Sequence, residues 1–96
     1  MKVQILDEAM QDLVTGSRFY ERQSDGLGDY FLDSLFADID SLQIYVGIHE
    51  VSFGYYRLLS KRFPFAVYYR VENEIAQVYA VVDCRRDPNW IRDRLT

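Results

Sequence analysis

The hydrophobic period of this sequence changes near Val51 from that of helices to that of strands, and no other feature constrains its fold as strongly. Before that point apolar residues recur at the spacing of amphipathic helices. After it, β-branched and aromatic residues dominate and the period becomes that of strands. The 96 residues, 49% of them hydrophobic, suffice for one core and leave no room for a second. We therefore expect one α+β domain spanning residues 1–96.

The first half of the chain predicts a short strand followed by two helices. Val3 and Ile5 alternate with polar residues, which predicts a strand over 1–6. Apolar residues at helical spacing then predict a first helix that reaches Tyr20. After the turn-forming run 24–28, the apolar stripe of a second helix consists of Leu27, Phe31, Leu35, Ile39, Leu42 and Val46. The short turn implies an antiparallel helical hairpin.

The outer surface of this hairpin is predicted to be acidic. Four aspartates lie opposite the apolar stripe of the second helix, namely Asp29, Asp33, Asp38 and Asp40. Residues 1–52 hold ten acids and three bases, a net charge of −7, whereas residues 53–96 hold five acids and eight bases, a net charge of +3. Because phosphate contacts need clustered cations, only the second half has the charge to meet a polyanion or an acidic partner.

The second half predicts three strands in an antiparallel meander, over 53–60, 65–72 and 75–83. Alternate small apolar residues of the last strand are predicted to share one face, and these are Ala76, Val78, Ala80 and Val82. Asp87 before Pro88 predicts the N-cap of a short terminal helix with Trp90 as its packing anchor. The expected order is β-α-α-β-β-β-α, an antiparallel sheet packed on a helical hairpin with a short C-terminal helix.

The cysteine count indicates the redox environment of the protein and limits the metal sites it can form, because Cys84 is the single cysteine. One thiol makes neither an internal disulfide nor a zinc site, which fits a reducing environment. No apolar run approaches the length of a membrane span, and no leader-like segment opens the chain. We therefore expect a cytoplasmic protein with no metal, no small-molecule cofactor and no membrane partner.

Two stretches of the second half are similar to a known family. The first combines Tyr56-Arg57-Leu58-Leu59 with the run from Lys61-Arg62-Phe63-Pro64 to Val71, and the second runs from Val81 to Pro88 with Trp90 close behind. Together they resemble the RelE/ParE superfamily of toxins, and the similarity extends over the whole chain. The resemblance implies the toxin of a type II toxin–antitoxin system, a ParE-like plasmid stabilisation protein that inhibits growth and is neutralised by a cognate antitoxin.

The resemblance leaves three functions open. One branch of the superfamily cuts messenger RNA on the ribosome without a metal, and another poisons DNA gyrase. A third possibility is a binding module that keeps the fold and the partner groove but has lost toxicity. Several nuclease relatives carry a histidine near the end of the last strand, followed by a tyrosine, where this chain has Asp83 and Cys84. That departure favours the gyrase branch.

The candidate site residues follow from what each branch requires. Metal-free RNA cleavage needs a base, an acid and cations that stabilise the phosphorane. The candidate catalytic or target contacts are Arg57, Arg70, Arg85 and Arg86, expected to converge on an open sheet face. The candidates for nucleic-acid binding are Lys61, Arg62, Tyr68 and Tyr79. The alternatives are ion pairs for the arginines, such as Asp83 with Arg85, and an antitoxin groove for the tyrosines.

Two further residues are predicted to have structural rather than chemical roles. His49 is the only side chain that titrates near neutrality, and it is predicted to lie on a surface loop away from the motif. Cys84 is predicted to be a small buried apolar residue.

Overall fold

The protein folds as a five-stranded sheet with a helical hairpin on one face, and the computed structural model describes all of residues 1–96. The strands are β1 Lys2–Ile5, β2 Glu50–Ser52, β3 Tyr55–Leu59, β4 Phe65–Glu72 and β5 Ile75–Asp83. The helices are α1 Asp7–Glu21, α2 Leu27–Asp40, α3 Leu42–Tyr45 and α4 Pro88–Leu95. The strand order across the sheet is β1-β5-β4-β3-β2. None of the helices has the length and apolar character needed to span a lipid bilayer.

The predicted α+β fold class is confirmed, and the sheet differs from the prediction in two respects. β1 pairs with β5 in parallel, so the sheet is mixed rather than wholly antiparallel. The predicted strand over 53–60 begins only at Tyr55, because Phe53 and Gly54 take positive φ angles of 55° and 82° and form the turn that joins β2 to β3. Two consecutive residues with positive φ favour a tight hairpin turn, which adds β2 as an edge strand.

The two long helices approach each other closely because glycines lie at their contact. A Cβ added to Gly16 of α1 would lie 2.6 Å from the Phe31 ring, and one added to Gly28 of α2 would lie 2.6 Å from the Ser17 carbonyl oxygen. Glycine is the residue that leaves this space free. The hairpin therefore buries Phe31 against α1 while its other side packs on the sheet.

The turn between α1 and α2 is closed by one carboxylate. Glu21 Oε2 accepts a hydrogen bond from the Gly26 N–H at 3.0 Å, and Oε1 accepts one from the Gly28 N–H at 2.9 Å. Both donors lie at the N-terminus of α2, where backbone N–H groups have no partner within the helix. The carboxylate also has the charge that the positive end of the helix dipole favours.

We expect Glu21→Ala to lower the free energy of unfolding by about 1 to 2 kcal/mol, because it removes the cap of α2. Glu21→Gln retains one acceptor oxygen and should lose about half as much. Urea unfolding of the three proteins, followed by circular dichroism, measures both effects. Equal stability of Glu21→Ala and the unaltered protein would show that water satisfies these N–H groups equally well.

A β-bulge in β5 changes which face each later residue occupies. Tyr68 of β4 lies opposite Ala80, whereas the next residue, Tyr69, lies opposite Val78, so Tyr79 is an extra residue on β5. Such a residue shifts the alternation of side chains. The prediction that four alternate residues of this strand share one face is therefore wrong: Ala76 and Val78 contact the hairpin, and Ala80 and Val82 contact α4.

Helix α4 covers part of the second sheet face, which the sequence predicted to be at least partly open. Ile91 and Leu95 are its buried anchors, and they pack against Tyr55, Tyr68, Ala80 and Val82. The predicted cap is confirmed, because Asp87 Oδ1 accepts a hydrogen bond from the Asn89 N–H at 2.7 Å. The predicted anchor role of Trp90 is wrong, since its side chain is 41% exposed.

One of the four predicted surface aspartates is buried. Asp38 is 6% exposed, and its Oδ2 accepts hydrogen bonds from the Ser60 hydroxyl at 2.7 Å and the Lys61 N–H at 3.4 Å. The side chain therefore ties α2 to the end of β3 instead of lying on the acidic surface. Asp29, Asp33 and Asp40 are exposed as predicted.

Candidate functional site

Two of the candidate arginines lie on the same sheet face, the one that α4 partly covers. Arg57 Nε donates a hydrogen bond to the Tyr68 hydroxyl at 3.2 Å, and its terminal nitrogen lies 3.8 Å from Cys84 Sγ. The Arg70 guanidinium stacks on the Tyr55 ring at 4.0 Å from its centroid, and its Nε donates to the Gly54 carbonyl at 3.3 Å. We call Arg57, Arg70 and the three tyrosines at 55, 68 and 79 the arginine face.

The arginine face keeps its cations charged and unpaired. Neither Arg57 nor Arg70 forms a salt bridge. Burial by itself would lower the pKa of Arg57, but its hydrogen bond to Tyr68 and the nearby Tyr68 and Cys84 groups raise it above its usual value. The pKa of Tyr79 is raised by burial and by Glu72, so its hydroxyl stays protonated and donates to Glu72 at 3.3 Å. These guanidinium groups can therefore hold an anion or an acidic side chain.

Asp83 and Arg85 form the ion pair that the sequence suggested. Arg85 donates to the two carboxylate oxygens of Asp83 at 2.9 and 2.7 Å. The hydrogen bonds from the Arg85 side chain hold the pKa of Asp83 below its usual value. The same bonds and the negative charge of Asp83 raise the pKa of Arg85. Asp83 is therefore poorly suited to act as a base, and Arg85 is not free to bind a phosphate.

The remaining candidate cations lie elsewhere, so the predicted convergence on one surface is wrong. Arg86 follows β5 and stacks over Trp90 at 4.2 Å. Arg62 donates to the Tyr30 hydroxyl of α2 at 3.0 Å, and the Lys61 N–H contacts Asp38. The six cations thus form three pairs: one on the arginine face, one after β5 and one beside α2. Arg57 and Arg70 share a face because side chains alternate between the two faces along β3 and β4. The other four cations lie in the loops after β3 and β5, where no such alternation directs them to that face.

Burial decides which tyrosines a nucleic acid can reach. Tyr68 is 2% exposed, so no base can stack on its ring in this packing, contrary to the prediction that it binds nucleic acid. Tyr55 is also buried, and its hydroxyl donates to the Leu95 carbonyl of α4 at 2.9 Å. Tyr79 is partly exposed and remains a candidate contact.

His49 is a partly buried loop residue on the opposite side of the sheet from the arginine face. Its Nδ1 contacts the hydroxyl of Tyr69, which packs in the hairpin core and also accepts a hydrogen bond from the Gly47 N–H at 2.9 Å. Burial lowers the pKa of His49, which favours the neutral imidazole. The predicted loop location is confirmed, and the contacts of this histidine fasten the loop before β2.

A groove between α1, β5 and α4 contains functional candidates that the sequence did not indicate. Its volume is about 350 Å³; Val81 and Val82 lie in its floor, and Phe19 and Trp90 stand at its rims with 45% and 41% of their side chains exposed. We call it the α1–α4 groove. The partners that close one end of it, Asp12 and Arg94, are 82 residues apart in sequence, so no local pattern could have paired them.

The fold has a counterpart among solved structures. No family model matches this sequence, and neither does any curated protein. A chain of the chromosomal ParDE TA system from P. aeruginosa superimposes with a TM-score of 0.76 at 19% sequence identity. The match covers 86% of this chain and 95% of that chain. At this identity the likeness shows a shared fold, and the α+β fold that the sequence resemblance implied is confirmed.

Proposed function

We propose that this protein is the toxin of a type II toxin–antitoxin pair. The observation that supports the proposal best is the structural match, which extends over nearly the whole of both chains rather than a shared motif. The neighbour belongs to a ParDE toxin–antitoxin system. Fold alone does not fix chemistry. The proposal therefore also relies on the unpaired cations of the arginine face, which give a toxin a surface for an acidic target or partner.

Within this proposal, the target is DNA gyrase or a similar replication protein, held through protein contacts in the cytoplasm. General acid–base cleavage of RNA most often uses a histidine or carboxylate side chain close to the cations. The carboxylate of Asp83 is bound to Arg85, and the imidazole of His49 lies on the opposite side of the sheet. This arrangement favours binding over cleavage. A cognate antitoxin that covers the toxin would neutralise it.

The second candidate is a ribosome-dependent messenger RNA nuclease. Its support is that Arg57 and Arg70 share one face with the partly exposed ring of Tyr79, an arrangement suited to a phosphate beside a base. In that case Arg70→Ala should abolish cleavage, because a guanidinium that stabilises the phosphorane would be lost.

Inducible expression in a bacterial host distinguishes these functions. We expect growth arrest with an SOS response and intact messenger RNA, and recovery when the protein encoded by the adjacent gene is expressed together with it. Arg70→Ala should relieve the arrest, whereas Arg92→Ala, on the exposed side of α4, should not. Cleaved messages on translating ribosomes would instead identify the nuclease. Unaffected growth with a partner that still co-purifies would identify the non-toxic binding module.

A further inference from the structure

The α1–α4 groove lies beside a stretch of β5 that has no neighbouring strand. β1 pairs with β5 only as far as Ile5 opposite Val78, so the rest of β5, up to Asp83, has an open edge on that side. Open edges are places where an extended segment of another chain can lie alongside a sheet. The groove follows this edge and is bounded by α1 on one side and α4 on the other.

Part of the edge is already occupied by side chains of the protein itself. Asp12 Oδ2 accepts a hydrogen bond from the Val81 N–H at 2.9 Å, the position that a carbonyl of a neighbouring strand would take. Arg94 binds the same carboxylate at 2.7 Å and contacts the Tyr79 carbonyl at 3.5 Å. This pair blocks the edge near Tyr79 and leaves the Val82–Asp83 end between the exposed rings of Phe19 and Trp90.

One charge in the groove has no partner. The carboxylates of Asp12 and Asp83 are held by Arg94 and Arg85, respectively. Arg86 forms no salt bridge and donates no side-chain hydrogen bond, and its guanidinium carbon lies 4.2 Å from the centroid of the Trp90 ring. The groove therefore offers an apolar floor, two aromatic rims and a single free cation.

We propose that the α1–α4 groove binds an extended protein segment that places an apolar side chain between Phe19 and Trp90 and a neighbouring carboxylate on Arg86. This inference deepens the proposed function, on which its biological meaning rests, because it names the part of the antitoxin that the groove selects. A nucleic-acid strand fits less well, since its phosphates would meet the Asp12 and Asp83 carboxylates with only one free guanidinium to offset them.

Selection from a random peptide library measures the groove without relying on toxicity. Peptides of about ten residues are more than long enough, because the edge from Tyr79 to Asp83 covers only five residues at roughly 3.3 Å each. We expect the unaltered protein to enrich sequences with an apolar residue beside Asp or Glu. Binding of an enriched, fluorescently labelled peptide should weaken at least about tenfold with Arg86→Glu, because repulsion replaces a charge-assisted hydrogen bond. Trp90→Ala should weaken it as well.

Two controls keep the result interpretable. Arg92→Glu introduces the same charge change on α4 away from the groove, and it should leave peptide binding unchanged. A peptide with Lys in place of its acid should bind Arg86→Glu better than the unaltered protein does. Cooperative urea unfolding of each variant confirms that it is folded.

Three results would overturn the proposal. They are the absence of enrichment, enriched peptides that bind Arg86→Glu as tightly as the unaltered protein, and tighter Arg86-dependent binding of a single-stranded RNA of about ten nucleotides. If the protein is not toxic but still binds the peptide, the proposed function is wrong and the groove remains a protein-binding site.

Discussion

Phe31→Ala is expected to lower the free energy of unfolding by about 3 to 5 kcal/mol, which is the usual cost of removing a fully buried phenylalanine ring. Phe31 is 0% exposed, and its ring lies 4.9 to 5.2 Å from the ring centroids of Tyr20, Phe63 and Phe65. These contacts join α1, α2 and the start of β4. The cavity would therefore loosen the hairpin and the sheet together, and a domain of this size has little stability to spare.

Tyr30→Ala is the matched control for this prediction. Tyr30 is the preceding residue of α2, is 44% exposed and contacts Phe63 and Arg62 at the surface. Removing the Tyr30 ring should lower the free energy of unfolding by well under half of the amount expected for Phe31→Ala. Urea unfolding by circular dichroism gives both values. A loss of less than about 1 kcal/mol in Phe31→Ala would mean that the neighbouring rings close the cavity.

Arg94→Leu is expected to lower the free energy of unfolding by about 3 kcal/mol near neutral pH, because it leaves the Asp12 carboxylate without its countercharge. The side chains of Asp12 and Arg94 are each only 20% exposed. Burial already raises the pKa of Asp12 above 3.8, although the Val81 N–H and Arg94 act in the opposite direction. Without Arg94 that pKa should rise further.

The sign of the pH dependence follows from this shift. A carboxyl group whose pKa is raised by folding contributes stability that is present below its unfolded pKa of about 4 and is lost as the pH rises through its folded pKa. Arg94→Leu should therefore be least destabilised near pH 4, and the deficit should grow towards neutrality. Unfolding at several pH values tests this trend. Adding Asp12→Asn to Arg94→Leu should remove this pH dependence. If the loss of unfolding free energy in Arg94→Leu is the same at every pH, Asp12 does not have the role assigned to it.

The sequence allowed the fold to be predicted because periodicity reports burial on a scale of a few residues. The apolar stripe from Leu27 to Val46 packs on the core as predicted, although the helix that carries it ends at Asp40 and a short second helix follows. The strand ranges of β4 and β5 agree with the structure. The bulge at Tyr79 could not be predicted, because an extra residue shifts the alternation of side chains without leaving a mark in the composition of the strand. The turn at Phe53 escaped it because a phenylalanine with positive φ is uncommon.

The candidate site was harder to predict than the fold. Arg57 and Arg70 lie on one face as strand alternation requires, and Asp83 pairs with Arg85 two residues away. The position of α4 could not be derived in the same way. Its contacts depend on residues distant in sequence, above all Tyr55 with Leu95. For that reason Tyr68 looked available for stacking although it is buried.

The extra residue at Tyr79 has a practical consequence for protein engineering. It divides β5 so that Ala76 and Val78, before it, pack under the hairpin, whereas Ala80 and Val82, after it, pack under α4. Deleting this single position would remove the bulge and let Ala80 follow Val78 in regular alternation, so Ala80 and Val82 would still face α4 and Val81 the hairpin. Chimeras that exchange C-terminal segments between proteins of this fold should therefore be joined by position in the sheet rather than by residue count, because one residue more or fewer that no bulge accommodates would exchange the two faces.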